Sequence, residues 1–523
     1  MPSIVSLREG LKGAGLRARD LVERGIPLSV SQRDATLWGP DATPEASIRL
    51  GWTRDPREML GVIEQLESLR SDLASRGVTR VILCGMGGSS LAPEVMAKRD
   101  HVSLEIVDST HPDQIARSLH SDLSDAVVVV ASKSGTTVET ATARAAFSAA
   151  FSKAGIDPIE RVIIVTDPDS PLHLEASAAG HRVFLADPEV GGRFSALTAF
   201  GLVPSTLAGV DTRRVVDEAS AVWSALHENS EDNPAVALAS ALSDPARDIA
   251  VLVADEESLP GLGDWVEQLV AESTGKDGKG VLPVVAGPHA PEVTLGLDDV
   301  VTVSLSPGRP GSDVSLAAPL GAQFLLWEYA TAFAGVLLEL NPFDQPDVES
   351  AKVAARSLLD SKPDQATPDT IVDSVSFWLS PGLPDSVSST EEAWAAVRDA
   401  MGPSGYLAIQ LYCDRLAHGD TEALRAALVE RLKRPVTIGF GPRFLHSTGQ
   451  FHKGGTADGV FVQVLSQPRA AIDIPGYPFD FATLMNAQAA GDRSVLISRG
   501  RPVLTVSVDS EQAVTHFFSS GAK

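Results

Sequence analysis

Cysteine is nearly missing from this chain: Cys84 and Cys413 are the only two in 523 residues. Two isolated thiols build neither a disulfide framework nor a zinc cluster, which suits a reducing, cytoplasmic setting. Basic residues are also short. Lys and Arg total 43 against 68 Asp and Glu, a formal charge of −25. A surface of that sign excludes nucleic acid as a main partner, because there is little cationic surface to displace counterions. No uninterrupted apolar run approaches the ~18 residues of a membrane-spanning helix, so no membrane partner is expected. Met1-Pro2-Ser3-Ile4-Val5 lacks the basic region and apolar core of a signal peptide. An anionic metabolite would be repelled at long range, so only a local set of donors could hold one.

The chain does have the apolar content for two or three domains with large cores, 44% of residues. After an irregular and helical lead-in over 1–60, short β-branched runs alternate with Ala-rich helical segments. The first are Val81 to Cys84, Leu104 to Val107, Val127 to Val130, Val162 to Val165 and Val183 to Leu185. Continuous apolar strands between helices predict parallel sheets covered on both faces. A second series starts at Ile249 to Val253 and continues through Pro283 to Ala286 and Val300 to Val303. After a Pro/Asp/Ser-rich stretch at 361–390, Tyr406 to Tyr412, Val436 to Phe440, Val460 to Leu465 and Val503 to Val508 read as further strands. The two α/β halves suit a duplication, which no residue pattern demonstrates.

Two strand ends carry donor-rich turns. Cys84-Gly85-Met86-Gly87-Gly88-Ser89-Ser90 lets the backbone approach a ligand closely before a helix N-terminus. With Asp108 about twenty residues on, it has part of a dinucleotide fingerprint, but Ser90 stands at the third glycine position. Ala131-Ser132-Lys133-Ser134-Gly135-Thr136-Thr137-Val138-Glu139-Thr140 follows the third strand of the same unit. Its hydroxyls and lysine suit a phosphate, since parallel strands bring both turns to one edge. Helix capping by Ser132, Ser134 and Thr137 is the plainer alternative.

Further along, Gly191-Gly192-Arg193 offers a guanidinium after a flexible turn. Glu272 falls in the last turn of a helix opening near Gly261, where the helix dipole disfavours a carboxylate as a poised base needs, although a solvated glutamate at a helix end is the plainer reading of these residues alone. Lys352 follows Gln345 by about two helical turns. His446 and His452 share one turn with Lys453 and three glycines, without the cysteines or compact acidic set of a metal site, so no metal is expected.

Taken together these blocks resemble the phosphoglucose isomerase family. Gly85 to Ser89, Ser132 to Thr137, Val190 to Arg193, Glu272 to Lys276 and Phe343 to Lys352 occur in that family's order across roughly 80–355. The stretch around His446 is similar to bacterial isomerases fused behind a transaldolase, although no complete transaldolase portion is expected here.

The resemblance implies two flavodoxin-like sugar-isomerase (SIS) αβα sandwiches with parallel sheets, plus N- and C-terminal extensions. The boundaries are 1–60 for the N-terminal extension, 61–215 for the first unit, 216–360 for the first part of the second, and 361–523 completing the second. It implies a site shared across a homodimer, a sugar-phosphate substrate and no cofactor. Gly88, Ser89, Ser132, Lys133, Ser134 and Thr137 match phosphate contacts, and Gln268 and Gln345 match other substrate contacts. Glu272 matches the base of a glucose 6-phosphate to fructose 6-phosphate interconversion through a cis-enediol, and Arg193 matches the group stabilising it. Lys352 and His446, with His452 as its rival, match ring opening. Two departures stand out: Pro346 and Asp347 replace the family's Gly and Trp, and the histidine turn follows the Asp-Gln block instead of preceding it. A non-catalytic sugar-phosphate binder and an NAD-dependent enzyme using Gly85 to Gly87 and Asp108 are the alternatives.

Overall fold

The computed structural model describes residues 4–8, 11, 13–361, 367–418 and 421–521. Met1 to Ser3 and residues 362–366 of the Pro/Asp/Ser-rich stretch lie outside the described residues. The strands are β1 (Val5–Leu7), β2 (Arg80–Gly85), β3 (Glu105–Val107), β4 (Ala126–Ala131), β5 (Val162–Thr166) and β6 (Arg182–Leu185). They continue with β7 (Ile249–Val253), β8 (Leu282–Ala286), β9 (Val300–Ser304), β10 (Val314–Leu316), β11 (Thr370–Val372) and β12 (Val375–Leu379). The last four are β13 (Tyr406–Tyr412), β14 (Val436–Phe440), β15 (Gly459–Ser466) and β16 (Val503–Val508).

The first sheet has the order β3-β2-β4-β5-β6, all parallel. This is the flavodoxin-like order, in which the chain leaves its first strand toward one side and returns on the other. β4 is buried along its whole length, as its unbroken Val run requires when helices cover both faces. The second sheet runs β1-β10-β9-β7-β8, with β7 to β10 parallel and β1 antiparallel at the edge. Against it lies the helix Leu320–Leu338, buried from Leu320 to Val336. A helix apolar on every side has no solvent face and must sit inside.

Of the portion 361–523, expected to complete the second unit, the described residues instead build a sheet of their own. Its order is β11-β12-β16-β15-β13-β14, with β13 to β16 parallel and β12 antiparallel to β16. The reason is local sufficiency: four apolar strands alternate here with helices that close a separate core over Leu407, Val462, Val506 and Phe517. β13 to β16 repeat the order of β7 to β10, and in each sheet an antiparallel strand lies beyond the fourth. Both cysteines are buried and free, Cys84 in β2 and Cys413 just past β13. No helix among the described residues is long and apolar enough to cross a membrane.

Candidate active site

In the first sheet the switch point falls between β2 and β4, where a ligand crevice opens beyond the carboxyl ends. Gly85 pairs with Ala131, so the glycine turn and the Ser/Thr turn leave the sheet side by side. Two glycines in the first turn have specific work. A Cβ on Gly88 would lie 1.9 Å from the Gly192 carbonyl oxygen. Gly87, at φ +56, faces Gln268 Nε2 and the His446 carbonyl, which a Cβ would approach to 2.6 and 3.0 Å. The turn is therefore the point where four separate stretches of chain meet.

Around it lies a cavity of about 870 Å³. Gly88, Ser89, Ser132, Lys133, Ser134, Thr137, Arg193, Gln268, Glu272, Gln345, Lys352 and His446 all line it. Asp108 does not. It is buried and accepts from Arg443 Nη1 at 2.6 Å, which leaves no free carboxylate for a nucleotide ribose.

The Ser/Thr turn divides its side chains between shape and availability. Ser132 Oγ accepts from the Gly135 N–H at 3.2 Å, and Ser134 Oγ accepts from the Thr136 N–H at 3.2 Å. Ser89 Oγ closes its own turn, accepting from Met86 N–H and donating to Met86 O at 3.0 Å each. Thr137 sits at the cap position of the helix Val138–Lys153, yet its side chain makes no cap hydrogen bond. The positive end of that helix dipole faces the cavity, with the Glu139 carboxylate in its first turn as the side-chain acceptor. Lys133 is not a free cation: Nζ lies 2.6 Å from Asp167 Oδ2, and burial pulls its pKa down.

Opposite this turn, Gln268 and Glu272 stand one helical turn apart on the helix Leu262–Thr274. Gln268 Nε2 donates to Glu272 Oε2 at 3.1 Å, while Gln268 Oε1 is buried with no partner among the described residues. Arg193 Nη1 lies 3.4 Å from Glu272 Oε1. The guanidinium is buried and spends its remaining donors on Ser273 Oγ (2.8 Å), Gln345 Oε1 (2.8 Å), Pro342 O (2.7 Å) and Asp344 O (3.0 Å). Burial pulls the Arg193 pKa down, against the opposing charges of Glu272 and Asp344. A planar fork with five donors is the group that can satisfy this many acceptors at once.

Lys276 was not singled out from the sequence, although it closes the Glu272 block. Its Nζ reaches Asn341 O (2.6 Å), Asp344 O (2.7 Å) and Asp344 Oδ1 (2.7 Å), fastening the helix Leu262–Thr274 to the loop that carries Gln345. Burial, with Arg193 nearby, brings its pKa down to about 8.

The third unit supplies the remaining wall. His446 Nε2 lies 3.2 Å from Glu139 Oε1, and Gln488 Nε2 donates to the same oxygen at 2.7 Å. Burial works to raise the Glu139 pKa, but the facing imidazole brings it below the usual value. Glu139 is the second residue missed; its place in the first turn after the Ser/Thr loop was the available signal. His452 is elsewhere, fully buried against Tyr406 and Phe461, with neither ring nitrogen bonded among the described residues. Asp347, one of the two departures, has a definite use. Gln450 Nε2 donates to its Oδ2 at 2.8 Å and Arg499 pairs with its Oδ1, tying the helix Pro346–Ser361 to the third unit. Lys352 is about one-third exposed, with Glu349 Oε2 3.6 Å away.

The phosphoglucose isomerase family model matches residues 56–281. The glucose-6-phosphate isomerase of Rubrobacter xylanophilus is 30% identical over 390 residues, 59% of this chain and 88% of that protein. The chain belongs to the phosphoglucose isomerase family. A probable glucose-6-phosphate isomerase of Haloarcula marismortui is 29% identical over 56% of this isomerase and 80% of its own length. Among solved structures, a hypothetical protein from Thermus thermophilus aligns with a TM-score of 0.58 and 26% identity, covering 68% of this chain and 99% of that one. A glucose-6-phosphate isomerase from Chlamydia trachomatis shares the fold, with a TM-score of 0.55 at 18% identity over 68% of this chain and 86% of its own.

Proposed function

We propose that this isomerase interconverts glucose 6-phosphate and fructose 6-phosphate through a cis-enediol. The observation that carries the reading is the Glu272 carboxylate, held between Arg193 Nη1 and Gln268 Nε2 in the cavity whose other wall is the Ser132 to Thr137 turn. The turn and the helix end behind it bind the phosphate and thereby place C1 and C2 at Glu272. Glu272 takes the proton from C2 of the open-chain aldose and returns it to C1. Arg193 stabilises the negative charge that develops on the enediol oxygens during transfer. A single carboxylate suffices, because the group that removes a proton from C2 also delivers one to C1, and while it holds that proton solvent can exchange with it. His446, oriented by Glu139, transfers the proton that opens the ring, with Lys352 beside it. Gln268 Oε1 and Gln345 bond sugar hydroxyls.

Glu272, Arg193 and His446 all come from one chain. The family likeness implies a homodimer, to which each chain brings these three groups in its own cavity lining. We place the reaction in the cytoplasm, whose reducing conditions suit two buried free thiols.

Exchange of the C2 proton of glucose 6-phosphate with deuterated solvent, followed by NMR, tests the reading. Glu272→Gln is expected to lower both exchange and turnover by about 10²–10⁴-fold. Unchanged exchange in the variant would remove Glu272 from the mechanism. Binding of the sugar phosphate by the native chain with no exchange at all would make it a non-catalytic binder.

A further inference from the structure

The isomerisation reading uses the carboxyl edge of the first sheet and one face of the helix Leu262–Thr274. The carboxyl edges of the second and third sheets are left over, and they meet. Beyond the ends of β7, β8 and β14 lies a second cavity of about 640 Å³. That volume is ordinary for a small-molecule site, and this edge is where open α/β sheets take ligands. Part of its wall is apolar, from Leu91, Ile438 and Phe444.

The cations on the wall are already answered. Arg443 Nη1 donates to Glu94 Oε2 and Asp108 Oδ2 at 2.6 Å each, and Arg415 Nη1 donates to Glu94 Oε1 at 3.0 Å. Arg425 is held by Glu292 and Glu422, Lys98 Nζ lies 3.1 Å from Glu94, and His418 faces Glu511. The carboxyl groups are in excess. Asp264 meets the outer nitrogen of Arg443 at 3.3 Å, and Glu267 has the Ser447 hydroxyl at 3.5 Å. Glu256 opens onto the same space, with Asp264, Asp255 and Lys98 as its neighbouring charges and the Gly261 N–H donating to it. Burial, reinforced by Asp264, pushes Glu256 above the usual carboxyl range and Glu267 up to about 8. An anion entering here would compete with existing pairs and face three acids. A cation would relieve them.

We propose that this cavity binds an organic ammonium compound, its amino groups among Glu256, Asp264 and Glu267 and its hydrocarbon portion against Leu91, Ile438 and Phe444. A bare divalent ion would leave the apolar wall unused.

Calorimetric titration of the full chain with spermidine, at fixed ionic strength, tests this independently of catalysis. One saturable site per chain is expected, and Glu256→Gln with Glu267→Gln should weaken it about tenfold or more, at unchanged basal turnover. Asp72→Asn with Glu160→Gln removes two exposed carboxylates and should leave the affinity as it was. Should the cavity variant fail to fold by circular dichroism, Ile438→Trp, which fills the apolar side, must weaken binding by a similar factor. Absence of saturable heat, equal affinity in the cavity variants, or an equal loss in the surface variant would overturn the proposal. The last result would mean general attraction to a chain of charge −25.

Discussion

Two glutamates on one helix meet opposite surroundings. Glu272 points into the cavity below the Ser/Thr turn, between a buried guanidinium and an amide. Glu267, five residues earlier, points into the other cavity with a hydroxyl at 3.5 Å and the charge of Asp264 nearby. The backbone is the same, so the difference comes from what neighbouring elements bring: the Gly192-Arg193 turn on one side, the carboxyl edges of two sheets on the other. The contrast teaches that a buried carboxyl acquires its chemistry from its partners, and the helix merely aims it.

After Glu272→Gln itself, the largest expected effect comes from weakening the partner side of Glu272. Arg193→Lys leaves several buried acceptors unmatched, and turnover should fall by about 10²–10³-fold, the cost of a lost transition-state donor. Steady-state kinetics checks it, and a change confined to KM would contradict the assigned role. Next comes Gly88→Ala, which sets a Cβ against the backbone carbonyl of Gly192. Overpacking of this kind costs about 1–3 kcal/mol. It should lower the thermal midpoint and activity together, because the displaced turn carries Arg193. Ser134→Ala with Thr137→Ala acts at the far end of the same cavity. It should raise KM for glucose 6-phosphate by roughly ten- to a hundredfold with little change in kcat, from hydrogen bonds to a charged group worth about 1.5–3 kcal/mol.

These targets differ in how far the sequence alone discloses them. β13 and β16 begin and end where their apolar runs do, and the Ser/Thr turn follows β4 as its residues predict. Local pattern is enough there. The three-residue strand β1 escaped notice because it carries no period of its own and pairs with residues three hundred positions away. His446 and His452 were not separable for a related reason. They share one turn of sequence, and only packing of the helix Gly449–Gly454 against Tyr406 and Phe461 puts His452 inside. Glu139 and the second cavity depend on the third unit docking, which no local run of residues encodes. The departure at Asp347 looked like damage to the family pattern, and becomes intelligible only beside Gln450 and Arg499.

The smallest effect sharpens the Glu267 side of the comparison. Its carboxyl rises from 4.5 to about 8 on folding, so the folded chain holds this proton more tightly than the unfolded chain. Stability from that proton is fully present below about pH 4.5 and is lost as pH climbs through about 8. Glu267→Gln cannot lose it. Thermal midpoints of native and variant chains should therefore diverge in favour of the variant between those limits, by a few degrees. Parallel curves would mean that Glu267 is no more shielded than a surface acid.

The two thiols offer a different kind of instrument. One is woven into an inner strand of the first sheet and the other closes a strand of the third, and both are out of reach in the folded chain. A thiol reagent supplied under mild destabilisation would thus mark time separately for the two units, Cys84 reporting one opening and Cys413 the other. The order of labelling, read by mass spectrometry of the cleaved chain, would reveal which part of the protein lets go first and whether the first unit outlives the one that carries His446.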